Sequence, residues 1–227
     1  MNQETLPIVT LDGPAGVGKS TLARRLAGVL GWPYLDTGAM FRTLALRLGA
    51  DAAALPEAVL RARCAALSFA LCGCGETTRL LCDGAEVGEE IRTEQVGHMA
   101  AQLGACPVVR DCLKQAQRRL GAQSPLVAEG RDMGTEVFPV ARYKFFLDAD
   151  PEVRAARRCA ELQAKGMQAD LATVAAQIRE RDQLDRNRAV APLRPAPDAL
   201  IVDTSSRSID EVLAVLLHAV KSGSTGK

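Results

Sequence analysis

The stretch IVTLDGPAGVGKST, residues 8–21, decides the fold of this chain. It opens with an apolar, β-branched run of the kind that forms a buried strand, and it continues into the pattern G-x-x-x-x-G-K-S. Apolar residues then recur at helical spacing as far as residue 30. Strand, glycine-rich turn and helix together are the context in which this pattern forms a phosphate-binding P-loop.

The residue types in the pattern suit a nucleoside triphosphate. The glycines let backbone N–H groups turn inward around phosphate oxygens, and the positive end of the following helix adds to the attraction. Lys19 can reach the β and γ phosphates, and the Ser20 hydroxyl can ligate Mg²⁺. A glycine-rich turn that only caps a helix is the alternative, and it leaves Lys19 and Ser20 unexplained. The predicted triphosphate contacts are Gly13, Pro14, Ala15, Gly16, Val17, Gly18, Lys19, Ser20 and Thr21.

Composition excludes several classes of protein. Lys and Arg total 28 against 27 Asp and Glu, a net charge of +1, which argues against a protein that coats nucleic acid. The seven cysteines are odd in number and irregularly spaced, so we expect reduced thiols rather than a disulfide framework. The first residues lack the pattern of a signal peptide, and no apolar run reaches the length of a membrane span. We therefore expect a cytoplasmic protein with no membrane partner.

Short strand candidates alternate with amphipathic stretches along the chain, which predicts an α/β fold with a parallel sheet flanked by helices. We see no internal repeat and no linker, so residues 1–227 are expected to form a single domain. The predicted strands are about 8–12, 33–35, 126–129, 143–148 and 199–203. The predicted helices are about 19–30, 38–48, 107–120, 151–165, 170–188 and 208–221.

Residues 67–88 break this alternation. Two short extended runs are separated by glycines and an Asp-Gly pair, which favours a small antiparallel meander inserted into the α/β core. An unstructured surface loop is the alternative. The last residues, 222–227, have the composition of a flexible tail.

Three polar groups accompany the P-loop. Residues 36–42 follow the second predicted strand and place Arg42 near the strand ends, where nucleotide sites lie. Residues 129–132 end another strand with an arginine between two carboxylates. Two helices carry arginine stripes, one of Arg154, Arg157 and Arg158 and one of Arg181, Asp185 and Arg188. A helix cap, a polar turn and solvated helix faces are the respective alternatives, but beside a P-loop we expect the arginines to close over phosphates.

Five segments in this order resemble the bacterial cytidylate kinases: 10–20, 35–42, 90–93, 129–135 and 179–193. The resemblance covers nearly the whole chain and implies a P-loop NTPase-type core. It also implies an inserted nucleoside-monophosphate-binding region, about 63–104, that contains the meander, and a helical lid, about 151–168. The implied reaction is MgATP plus CMP giving ADP plus CDP, with dCMP as a second acceptor, catalysed by a monomer.

The resemblance also implies roles for individual residues. It puts the acceptor phosphate against Arg42, Arg131 and Arg188, the sugar near Arg181 and Asp185, and the base near Arg110 and Asp132. Thr37, Phe41 and Ala101 complete the implied CMP site, and Lys19, Arg131, Arg157, Arg158 and Arg188 are the implied catalytic groups. The family usually has Tyr at position 41, often Asp at 129 and a serine at 101, so this chain lacks two of the family's hydroxyl groups.

The chemistry of cytosine supports the assigned base readers. A carboxylate beside an arginine complements the N4 amino donor and the N3 and O2 acceptors, whereas uracil would meet Asp132 acceptor to acceptor. A P-loop kinase for another acceptor, such as UMP or AMP, shares the opening motif but leaves Arg110 and Asp132 unexplained. A nucleotide-gated binding module is the non-enzymatic alternative, and the retention of Lys19 with the arginines argues against it. A GTPase switch is excluded because no Asn-Lys-x-Asp motif occurs.

Overall fold

A parallel five-stranded sheet forms the centre of the protein, in a computed structural model that describes residues 6–164 and 166–223. Its strand order is β2-β6-β1-β7-β8, and every neighbouring pair is parallel. A separate antiparallel sheet holds three strands in the order β3-β4-β5. The strands are β1 (Ile8–Asp12), β2 (Tyr34–Asp36), β3 (Phe69–Cys72), β4 (Arg79–Cys82), β5 (Ala85–Glu86), β6 (Leu126–Gly130), β7 (Tyr143–Asp148) and β8 (Leu200–Asp203).

Helices cover both faces of the main sheet. One face packs against α1 and α8, and the other packs against α2, α3 and α5, so each face closes its own apolar core. The helices are α1 (Lys19–Leu30), α2 (Thr37–Leu48), α3 (Glu57–Ala65), α4 (Glu94–Gly104), α5 (Pro107–Gly121), α6 (Pro151–Ala164), α7 (Leu171–Asn187) and α8 (Ile209–Ser222). No helix in the described part of the chain combines the length and apolar character that crossing a bilayer requires.

The predicted α/β fold with its inserted meander is confirmed. The strands of the main sheet agree with the sequence prediction to within one residue at each end. The antiparallel sheet β3–β5 lies within residues 67–88, so the loop alternative is wrong. It is tied to β2, because the Tyr34 N–H donates to Thr78 Oγ1 at 3.1 Å and the Gly75 N–H donates to Trp32 O at 2.8 Å.

The sequence did not predict α3 and α4. In α3 only Leu60 and Cys64 are buried, which is too few positions for a clear apolar stripe. Helix α4 contains two glycines and depends on the Thr93 cap, whose hydroxyl accepts from the Val96 N–H at 3.2 Å. Ser222 is the last residue of α8, while 224–227 of the predicted tail lie outside the described residues. The bounds predicted for the insertion and the lid stay predictions.

Arg154 joins α6, α7 and the P-loop through one buried guanidinium. Only 1% of the residue is exposed, and its two terminal nitrogens pair with Asp182 Oδ1 and Oδ2 at 3.1 and 2.5 Å. The same side chain donates to Ala149 O at 3.0 Å and to Ala15 O at 3.1 Å. The sequence had grouped Arg154 with an arginine stripe over the phosphates. In the structure its guanidinium instead hydrogen-bonds to the P-loop backbone, because the ion pair with Asp182 holds it in the interior.

We expect Asp182→Asn to lower the free energy of unfolding by about 3 kcal/mol, because it leaves a buried guanidinium without a counterion. Urea denaturation measures this loss. The matched control is Glu152→Gln, which breaks an exposed ion pair with Arg179 between the same two helices and should cost less than about 1 kcal/mol. Equal losses in the two variants would contradict a special role for the buried pair.

Candidate active site

The P-loop backbone passes close to β7 at a position that only glycine can occupy. Gly13 has a φ of +151°, and a Cβ there would lie 2.1 Å from Leu147 O. Gly18 is the N-cap of α1 with a φ of +89°, and no side chain caps this helix. The N–H groups of the first turn of α1 are therefore available to an anion, which also gains from the positive end of the helix.

Lys19 is buried at the start of α1, with 6% of the residue exposed. Its Nζ donates to Pro14 O at 2.6 Å, within the loop that it follows. Burial, followed by the charge of Arg131, lowers the pKa of Lys19 to about 7, although the charges of Glu129 and Asp12 oppose the shift. A lysine so placed gains its full charge when anionic oxygens approach, which is what a phosphate-binding lysine requires.

Asp12, at the end of β1, holds the turn that carries Asp132, and sequence analysis missed it. Its carboxylate accepts from the N–H groups of Met133 and Gly134, both at 2.8 Å. Burial raises the pKa of Asp12 to about 6, although these two hydrogen bonds act in the opposite direction. A carboxylate directly before the P-loop glycine was the available signal in the sequence.

Glu129, near the end of β6, lies beside Lys19 and accepts hydrogen bonds at both its backbone and its side chain. Its backbone oxygen accepts from Thr37 Oγ1 at 2.7 Å, and its Oε1 accepts from the Tyr34 hydroxyl. Burial and the charge of Asp36 raise the pKa of Glu129, whereas Lys19 and hydrogen bonds from the Tyr34 and Ser20 side chains lower it. Thr37, a predicted CMP contact, thus uses its hydroxyl within the protein.

The oxygen donors beside Lys19 fit Mg²⁺. The exposed Ser20 hydroxyl lies in hydrogen-bonding range of the buried Glu129 carboxylate, and both are hard oxygen ligands. Mg²⁺ usually takes one or two such protein ligands and completes its shell with water and phosphate oxygens. A cation there also offsets the mutual repulsion of Glu129 and Asp36.

Four arginines that are predicted to contact phosphate or sugar lie near other positive charges: Arg42, Arg131, Arg181 and Arg188. Burial is the first cause that lowers the pKa of Arg42, Arg181 and Arg188, and repulsion among the cations adds to it. Arg131 acts on both Arg181 and Arg188, and Arg42 acts on Arg181. Arg42 fits against α4 because position 97 is glycine, where a Cβ would lie 3.0 Å from its Nη1. Such crowding favours a multiply charged anion at this place.

An alternating row of charges leads from this space to the predicted base readers. Arg131 Nε lies 2.9 Å from Asp185 Oδ2, and Arg188 reaches Asp185 and Asp132 at 3.9 and 3.5 Å. Arg110 Nη2 pairs with Asp132 Oδ2 at 2.5 Å. The structure therefore links five of the predicted contacts in one network, Arg131, Asp185, Arg188, Asp132 and Arg110. Arg42 lies outside it and donates to Ile91 O at 3.2 Å and Thr93 O at 3.4 Å. Arg188 Nη2 is buried and makes no hydrogen bond within residues 6–164 and 166–223; the Asp132 Oδ1 with which it forms an ion pair lies 3.5 Å away.

The base end of the network is partly apolar. Arg110 also donates to Gly104 O at 3.0 Å and lies over the Phe41 ring at 5.6 Å from its centroid. An open pocket of about 350 Å³ adjoins Phe41, Arg110 and Asp132. Ala101 is exposed on α4 and offers no polar atom.

The two arginines of the predicted lid, Arg157 and Arg158, lie outside this network. Arg157 donates to Thr204 O at 2.5 Å and to Thr204 Oγ1 at 3.3 Å. Arg158 is exposed and pairs with Glu161 at 3.1 Å, yet its charge contributes to the lowered pKa of Arg42. Their catalytic roles stay predictions that require movement of α6.

Comparison with known proteins agrees with this geometry. The profile of the family described as cytidylate kinase matches residues 9–222. The cytidylate kinase of Nitratidesulfovibrio vulgaris is 62% identical over 217 residues, which cover 96% of this chain and 94% of that protein. The cytidylate kinase of Oleidesulfovibrio alaskensis is 52% identical, covering 94% and 98% of the two chains. That of Lawsonia intracellularis is 48% identical, covering 97% of each.

We expect Lys19→Met to stabilise the fold at pH 7 by roughly 1–3 kcal/mol, because a buried lysine with a lowered pKa disfavours the native state. Between pH 7 and 10.5 the unfolded chain holds more protons than the native one at this site, so stability of the parent protein rises with pH there. The gain from the substitution should therefore shrink at pH 9.5.

Urea denaturation at the two pH values measures both effects, with the exposed Lys221→Met as the control. A loss of stability in Lys19→Met at pH 7, or a gain that grows with pH, would contradict the lowered pKa.

Proposed function

The chain belongs to the cytidylate kinase family and is a nucleotide kinase, and we propose that it transfers the γ-phosphoryl group of ATP to CMP, giving ADP and CDP. The observation that carries the proposal is the continuous row of charged side chains from Lys19 through Arg131 and Arg188 to Asp132 and Arg110. It has a triphosphate-binding loop at one end and a pair of base readers at the other. We propose dCMP as a second acceptor.

The donor half of the site is the P-loop. Backbone N–H groups of the loop and of the first turn of α1 would bind the β and γ phosphates, with Lys19 bridging them. Ser20 and Glu129 would hold Mg²⁺, directly or through water. When bound, the metal neutralises charge that develops on the β and γ oxygens.

The acceptor needs no catalytic base. A phosphate monoester has a second pKa of about 6, so the CMP phosphate is largely a dianion at pH 7 and already nucleophilic. Two such anions repel each other, and the positive charges of Arg42, Arg131 and Arg188 would hold them in line. Because these arginines are half-buried and lie near other positive charges, bound phosphate groups would relieve repulsion among them.

Asp132 and Arg110 would select the base. Asp132 would accept from the cytosine N4 amino group, and Arg110 would donate to N3 or O2. In the structure these two groups pair with each other, so each is oriented by its partner before a base arrives. Sugar contacts are proposed for Arg181 and Asp185.

Arg157 and Arg158 are proposed to reach the phosphates when α6 moves inward. Closure of that kind would exclude water and so limit ATP hydrolysis in the absence of CMP. We further propose that the enzyme works as a monomer in the cytoplasm.

An acceptor panel tests the reaction. We expect ADP release with ATP and Mg²⁺ to be fastest with CMP and dCMP and at least tenfold slower with UMP or AMP, because a mismatched buried contact costs about 1–3 kcal/mol. A coupled assay of ADP formation measures each rate. A better rate with UMP or AMP would favour the other-acceptor kinase, and ATP binding without turnover of any acceptor would favour a binding module.

We expect Asp132→Asn to lower the preference for CMP over UMP by about tenfold or more, because an amide can turn its N–H₂ group toward the uracil O4. The ratio of kcat/KM for the two acceptors is the measurement. The KM for ATP, at the other end of the row of charges, should stay within about twofold and serves as the internal control. A parallel rise in the KM for ATP, with an unchanged CMP-to-UMP ratio, would remove Asp132 from base selection.

A further inference from the structure

Tyr34, in β2, is a buried phenol held on three sides next to the P-loop. Only 4% of the residue is exposed. Its N–H donates to Thr78 Oγ1 at 3.1 Å, and the Arg24 guanidinium lies over its ring at 4.8 Å from the centroid. Its hydroxyl donates to Glu129 Oε1. A side chain fixed at its backbone, ring and hydroxyl has one orientation, so the hydroxyl is a fixed donor.

The strand register explains why this hydroxyl reaches Glu129. Tyr34 is the register partner of Val127, and Asp36 is the register partner of Glu129. Side chains two residues apart along a strand share a face, about 6.6 Å apart. A tyrosine that leans along its own strand covers that distance, whereas a shorter side chain at position 34 does not. Asp36, although nearer, is a carboxylate that caps α2 by accepting from the Ala39 N–H.

Glu129 needs such a donor. A glutamate side chain has three rotatable bonds, so the strand alone does not fix the position of its carboxylate. It is 4% exposed, lies beside Lys19 and hydrogen-bonds with Ser20, the two P-loop residues expected to contact phosphate and Mg²⁺. If this carboxylate could rotate, its contacts with a bound metal and with Lys19 would change as well.

We propose that Tyr34 is a positioning residue for phosphoryl transfer, whose hydroxyl fixes the Glu129 carboxylate in the orientation that serves Ser20, Lys19 and the metal. The inference rests on the proposed function, because it assigns Tyr34 a part in that reaction. Tyr34 is not among the proposed nucleotide contacts. Its contribution is an orientation passed through Glu129, in the way that outer ligands orient the direct ligands of a metal.

Tyr34→Phe tests the proposal, because it removes the hydroxyl and keeps the ring under Arg24. We expect kcat to fall about tenfold, because the buried Glu129 carboxylate stays in place and loses its hydrogen-bond donor. The KM for CMP should stay within about twofold, because Tyr34 is not a proposed CMP contact. Tyr143→Phe is the matched control. It removes the same group from a second tyrosine beneath an arginine, on β7, three strands away from β2 in the sheet, and should leave kcat unchanged.

Calorimetry supplies a readout that does not depend on turnover. ATP is titrated into each protein with and without Mg²⁺, and the gain in affinity that Mg²⁺ brings is compared. We expect this gain to fall about tenfold in Tyr34→Phe, with metal-free ATP affinity within about twofold of the parent protein. Unchanged metal-free affinity also verifies that the P-loop is folded.

A double-mutant cycle shows whether Tyr34 acts through Glu129. If it does, Tyr34→Phe should add little to the loss already caused by Glu129→Gln, because the group that it orients is gone. Additive losses, or a Mg²⁺ gain in Tyr34→Phe equal to that in Tyr143→Phe, would overturn the proposal. Failure of the parent protein to phosphorylate CMP would instead count against the proposed function and leave the calorimetric comparison valid.

Discussion

The position of the P-loop relative to α6 and α7 depends on the contacts of the Arg154 guanidinium. One side chain neutralises Asp182 of α7, closes the start of α6 through Ala149 O, and fixes the loop backbone through Ala15 O. A buried arginine satisfies several acceptors at once because its donors form a rigid planar fork. The loop shape is therefore set by residues more than a hundred positions away, and α6 can transmit its own position to the loop.

The site itself contains an unfavourable interaction, the electrostatic repulsion among its positively charged side chains. Burial lowers the pKa of Lys19, Arg42, Arg181 and Arg188, and repulsion by neighbouring arginines adds to the shift of each. Their arrangement is sustained by the surrounding fold rather than by its own energy. Phosphate groups bound as proposed would relieve this repulsion. Alternation with Asp185 and Asp132 limits the repulsion and continues the row of charges as far as Arg110.

Much of the fold could be predicted from the sequence because its signals are local. Each buried strand is a short apolar run, and each long helix shows a period in its own residues. Arg42, Arg131 and Asp132 could be named because strand ends in a parallel sheet converge. Arg181, Asp185 and Arg188 share a helix face, whereas Arg110 and the substrate roles of all seven residues were implied by the resemblance to the cytidylate kinases. Helices α3 and α4 were missed because few of their residues are buried. Tyr34 and Asp12 were missed because their roles depend on partners about a hundred residues away.

The sequence by itself determined that a P-loop follows the first strand, since glycine spacing, Lys19 and Ser20 define that loop locally. It also determined the α/β class and the residue types available for two anionic substrates. Only the tertiary structure decided which arginine does what. Arg154 pairs closely with Asp182 in the interior, while Arg188 forms longer ion pairs with Asp132 and Asp185 and keeps a buried N–H group without a hydrogen bond in the described part of the chain. The physical reason is that the role of a charge depends on its burial and its nearest opposite charge, and packing sets both.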